Sequence, residues 1–142
     1  MQKRGFAFWW LTLVAVWTTI NGLAADMNYT HLFNPAWSPH AKFHDWVSIV
    51  TGVLTGLAAL YYLWRRGARS RADLEFSCVV QALFWVALIL GYTFPGTHGT
   101  AYEHPEFVPE IFGMHVTEGF LSITSLIAIV AAWPFERRRR AQ

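Results

Sequence analysis

The sequence predicts an all-α integral membrane protein, a four-helix bundle with both termini in the cytoplasm. Four apolar stretches are each close to the ~20 residues that a helix needs to cross the hydrocarbon core. Ten of the eleven Lys/Arg residues lie in three clusters, Lys3-Arg4, Arg65 to Arg71 and Arg137 to Arg140, and only Lys42 stands apart. All six histidines, His31, His40, His44, His98, His104 and His115, fall in the alternate segments. Basic residues are retained on the cytoplasmic side, so the clusters face inward and the histidines gather at the opposite face.

Composition agrees with that class. At 54% hydrophobic and 14% charged residues, the chain is neither disordered nor an ordinary soluble domain. Trp9, Trp10, Trp37, Trp46, Trp64, Tyr92 and Trp133 sit where apolar runs meet polar flanks, as interfacial rings do. The formal charge of +2 sits in juxtamembrane clusters suited to anionic lipid, so membrane lipids are expected partners and nucleic acid is not. Cys78, the one cysteine, excludes an internal disulfide and reads as a packing residue.

The elements follow in order, within a single domain over 1–142. Span 1 covers about residues 6–25. Its rival reading is a cleaved signal peptide ending near Gly22-Leu23-Ala24-Ala25, but the apolar run is long for one, and Trp9, Trp10 and Trp17 suit a permanent helix. Span 2 covers about 45–64, and its helix starts earlier: Ser38 is a natural N-cap and Pro39 a natural first residue, because proline lacks the amide hydrogen orphaned there. His40, His44, Ser48, Thr51 and Thr55 then share one stripe, beside a Gly52-x-x-x-Gly56 pair that lets a helix approach closely, from this chain or a second copy. Span 3 covers about 74–94, with Gln81 expected to bond to a neighbouring helix. Span 4 covers about 111–133, with Pro109 at its start and Glu110 against the helix dipole, which puts His115, Glu118, Ser122 and Ser125 on one face.

Counting back from the cytoplasmic anchors places His44 and His115 near the outer boundary and Glu118 one turn deeper. Glu118 is the sharpest single feature. A charged side chain at mid-membrane costs on the order of 2.5–3.5 kcal/mol, so such residues usually face the bundle interior and handle protons, ions or substrates. His40-x-x-x-His44-Asp45 comes next, since histidines at i and i+4 can share a metal and Asp45 could orient a ring. His40, His44, His115 and Glu118 would together suit zinc or non-haem iron. Neither HExxH nor the full histidine boxes of membrane desaturases are present. The loop from His98 to Glu106 adds two histidines and two carboxylates, and Asn28-Tyr29-Thr30 matches a glycosylation sequon, a triplet common by chance.

The run from Thr30 to His44 is too specific for a passive linker: two prolines, aromatic rings and capping residues suggest a rigid lid. It resembles the H-x-F-N-P-x-W-x-P-H-A-x-F-H signature of a family of small four-helix membrane proteins of unknown function. The resemblance implies a four-helix membrane fold and singles out His31, Asn34, Pro35, Trp37, Pro39, His40, Phe43 and His44. It implies no reaction.

Four functions compete. The first is a metal-independent enzyme moving protons on an isoprenoid- or sterol-like molecule, with His44, Asp45, His115 and Glu118 as acid and base. His31, Asn34, Trp37, Trp46 and Trp85 would contact the substrate, the tryptophans stabilising a carbocation. The second uses the same histidines and glutamate as metal ligands. The third is a haem b carrier with His44 and His115 as axial ligands. The fourth is a non-catalytic binding, transport or assembly subunit.

Overall fold

The computed structural model describes residues 4–65 and 70–141, so Lys3, Arg66 and Arg69 of the basic clusters lie outside the described residues. Three long helices come first: α1 (Phe6–Asp26), α2 (Pro39–Trp64) and α3 (Arg71–Gly91). A short helix α4 (Thr100–Glu103), a 3-10 turn at Pro105–Phe107 and a hairpin of β1 (Glu110–Ile111) and β2 (Met114–His115) follow, before the long helix α5 (Glu118–Arg139). The four long helices are all long and apolar enough to cross a membrane. Each packs against its neighbours in the cycle α1, α2, α3, α5, closing a four-sided bundle.

Local chemistry sets where the helices start. The Ser38 hydroxyl accepts from the Ala41 amide at 3.1 Å with Pro39 following, as the sequence predicts. Ser70 caps α3 by accepting from the Asp73 amide at 3.0 Å. Span 4 differs from expectation. Its helix begins at Glu118, capped by Thr117 accepting from the Phe120 amide at 3.2 Å, and residues 110–115 form the hairpin instead. The hairpin turns through Phe112 and Gly113, both at positive φ, a backbone shape that ends any helix attempted from Pro109.

The core is built from Phe8, Leu11, Val14, Leu63, Leu74, Cys78, Trp85, Ile129 and Ala132. Three buried or half-buried polar groups find partners between helices. Trp85 Nε1 donates to Thr18 Oγ1 at 3.0 Å, Trp64 Nε1 to Thr12 Oγ1 at 3.1 Å, and Ser77 Oγ to the Ala59 carbonyl at 3.0 Å. Gln81 is buried and donates to Ser77 on its own helix, rather than to a neighbour as expected.

The glycine pair of α2 serves the fold of one chain. A Cβ on Gly56 would collide with Thr19 of α1 and lie 2.7 Å from the Ala15 carbonyl, and one on Gly52 would lie 2.9 Å from the Phe84 ring. The helices that approach this face are α1 and α3 of the same chain. Turning this face inward turns the polar stripe outward: His40, His44, Ser48 and Thr51 are exposed, and Thr51 is satisfied by its own helix at Val47. On α5, Ser122 and Ser125 do face inward.

At the basic end, arginines pair with carboxylates. Arg65 bonds Asp73, Arg137 lies 3.2 Å from Glu75, and Glu136 is 0% exposed beneath Arg139 and Arg140. Arg4 stacks on the Trp64 ring at 3.8 Å. These contacts join the start of α1 and α3 to the end of α2 and α5, fixing the helices as alternately up and down. All six histidines lie in the segments that join the other ends, or on the first turns of α2.

Candidate functional site

At the histidine end, the helices and loops enclose a cavity of about 710 Å³. Trp17, Ala24, Leu88 and Leu121 give it an apolar wall, and Val108, Pro109 and Val116 of the second loop cover it. Asp26, His31, Tyr92, His98 and Glu118 supply polar groups, and among the described residues no Lys or Arg lines it. An apolar space with a few polar groups is the usual form of a small-molecule site.

His31 is oriented by a chain of hydrogen bonds that starts on the last turn of α1. The Asn28 amide nitrogen donates to the Ala25 carbonyl at 2.6 Å, which leaves Asn28 Oδ1 as acceptor. That oxygen takes the Thr30 amide at 2.8 Å and the Thr30 hydroxyl at 2.6 Å. Thr30 has only one hydroxyl proton, so across the 2.7 Å contact with His31 Nδ1 it can only accept. His31 therefore carries its proton on Nδ1, and Nε2 presents a lone pair. Asp26 Oδ1 lies 3.9 Å from that nitrogen. A proton gained at Nε2 would face a carboxylate, the arrangement that stabilises an imidazolium.

Glu118 is the first residue of α5, where the positive end of the helix dipole favours a carboxylate. Oε1 accepts from the Thr100 amide at 3.0 Å, and Oε2 accepts from the Tyr92 hydroxyl at 2.9 Å. Burial, reinforced by this carboxylate, pushes the Tyr92 phenol up to about 12, so it stays protonated. Gly99 makes room for the pair: a Cβ there would strike the Tyr92 hydroxyl and lie 2.7 Å from Glu118 Oε2. Asp45, on the second turn of α2, has its Oδ2 buried without a hydrogen-bond partner.

The other residues singled out by sequence are placed differently. His115 sits exposed on β2 opposite Glu110, off the helix that was to carry it, so it does not share a face with Glu118. His40 and His44 are exposed on α2, outside the cavity lining. Among the described residues, no three His, Cys, Asp or Glu side chains come together as a metal site, so His40, His44, His115 and Glu118 are not gathered around one ion. Trp85 is 0% exposed in the bundle core and Trp46 is 45% exposed on α2, and neither lines the cavity. Trp37 packs edge-on against His31 at 5.6 Å. Asn34 shapes the loop by accepting from the Ala36 amide at 2.9 Å.

Sequence reasoning missed Asp26, Thr30 and Tyr92 as members of the site. Asp26 reads as the polar flank of a span and Tyr92 as an interfacial ring; Asn28 and Thr30 read as a sequon. A weak signal existed, since Asn-x-Thr is also a short side-chain turn motif.

The fold and the cavity define the class: a small multi-pass membrane protein of four spanning helices, with a largely apolar pocket at one end between α1, α3, α5 and the loops. The chain belongs to a family of unknown function (DUF6640), whose model matches residues 10–142. No curated protein and no solved structure matches it.

Proposed function

We propose that this protein is a membrane enzyme that moves a proton on a lipid-soluble, isoprenoid- or sterol-like substrate held in the cavity. His31 takes the proton at Nε2, Asp26 stabilises the imidazolium that results, and Glu118 with Tyr92 forms the opposing polar group. What carries this reading is the hydrogen-bond chain from Asn28 through Thr30 to His31, which assigns the ring proton to Nδ1 and leaves Nε2 as the basic nitrogen, 3.9 Å from Asp26 Oδ1, in a cavity with an apolar wall. General bases of this kind need both a free lone pair and a partner for the charge they acquire. Arginine clustering at the other end supports a cytoplasmic location for both termini and an extracytoplasmic site.

The test is ligand retention. Protein purified in mild detergent is extracted with organic solvent, and the extract is compared by mass spectrometry with that of Ala24→Phe, which places a ring in the cavity. The reading expects an apolar species enriched in wild type and lost from the variant. The same lipids at the same abundance in both would mean that the cavity holds nothing specific.

A further inference from the structure

We infer that His40 and His44 form a surface site for a divalent transition metal of tetragonal preference, copper(II) above nickel(II), independent of the cavity. The two residues stand one turn apart on the exposed face of α2, and neither lines the cavity. Their Nε2 atoms are 3.0 Å apart and their ring planes meet at 86°. At this distance one ring donates its Nε2 proton to the other. A metal ion takes that proton's place once the donor ring shifts to its Nδ1–H tautomer, so both nitrogens present lone pairs without net proton release.

The spacing selects the geometry. Two nitrogens each ~2.05 Å from a metal and 3.0 Å from one another subtend an angle of about 94°. Adjacent positions of a square or octahedron require about 90°, whereas a tetrahedron would hold the nitrogens about 3.3 Å apart. The pair can therefore take neighbouring positions of a tetragonal copper(II) or nickel(II) ion, and the general affinity order of nitrogen donors puts copper(II) first. Pro39 and the Ser38 cap fix the start of the helix, which holds the two histidines at this spacing. Phe43 lies parallel to the His40 ring at 6.3 Å and meets His44 edge-on at 5.5 Å. No third His, Cys, Asp or Glu among the described residues joins them, so the remaining positions are left to water or to a ligand from outside.

The experiment uses the full chain in detergent, purified without a polyhistidine tag and titrated with copper(II) chloride. Calorimetry reports stoichiometry, and electron paramagnetic resonance reports the ligand nitrogens. One copper per chain is expected, with an axial spectrum split by two nitrogens. His40→Ala and His44→Ala should each weaken binding by about tenfold or more, roughly 1.4 kcal/mol, while His31→Ala, His98→Ala, His104→Ala and His115→Ala leave it unchanged. Both substituted residues are exposed, and an unchanged melting temperature confirms that the variants fold. Binding that survives in both His40→Ala and His44→Ala would overturn the assignment. So would loss of binding in any of the other four variants, or an absence of stoichiometric copper in wild type; the last result would leave the pair as a hydrogen bond alone.

Discussion

His31 owes its tautomer to a proton count that begins one helical turn before it. Asn28 is locked by the Ala25 carbonyl, Thr30 spends its single proton on Asn28, and His31 must donate to what remains of Thr30. Thr30→Val removes the acceptor while keeping the shape of the side chain. Histidine nitrogen NMR of the micelle-bound protein should show a single Nδ1–H form for His31 in wild type, and a mixture with Nε2–H in the variant. An unchanged spectrum would mean that Thr30 does not set the tautomer. Gly99 is tested at the same scale: Gly99→Ala drives a Cβ into the Tyr92–Glu118 hydrogen bond. A cost of about 1–3 kcal/mol is expected from that overpacking, read as a lowered melting temperature.

Helices in this molecule are oriented by where they can approach one another. Gly56 lets α2 sit against Thr19 and Ala15 of α1, and that contact decides which face of α2 is inside. Gly56→Leu should abolish monodisperse protein on size-exclusion chromatography, because backbone cannot retreat as a flexible side chain can. Gly91→Ala is the control: nothing lies within 4 Å of its added Cβ, so it should leave stability unchanged or raise it by up to about 1 kcal/mol. Equal damage from both would show that α1 and α2 are not joined through Gly56. The start of α5 teaches a related lesson. Pro109-Glu110 reads as the helix start in the sequence, and the true one, Thr117-Glu118, lies beyond the turn at Phe112-Gly113. The long-range contacts of Glu118 with Tyr92 and Thr100 accompany the start that forms.

Charge divides the whole molecule into a basic end, where Arg65, Arg137, Arg139 and Arg140 pair with carboxylates, and a histidine end with the cavity. If the positive-inside bias holds, Met114→Cys in a Cys78→Ala background should react with a membrane-impermeant maleimide on intact cells, and Ala141→Cys should not. The reverse pattern would invert the orientation. The spans and the segregation of charge were legible in the sequence because each depends on local composition. The Ser38-Pro39 helix start was legible for the same reason. Helix rotation was not, since the stripe from His40 to Thr55 satisfies its groups equally well facing out, and only the glycine contact with α1 decides. Of the candidate site, Glu118 and His31 were legible from residue type. Asp26 and Tyr92 join them only when α1, α3 and α5 close around one space.

Hydrogen exchange at carbon tests the central claim most directly, because it needs no knowledge of the substrate. Purified protein is incubated in deuterium oxide with a lipid extract of the host membrane, and the lipids are analysed by mass spectrometry. A base at His31 removes a proton from substrate carbon and returns a deuteron from solvent. The account predicts at least one lipid species carrying carbon-bound deuterium with wild type, and none above background with folded His31→Ala or Asp26→Asn. No labelled species with wild type, or equal labelling with His31→Ala, would contradict it.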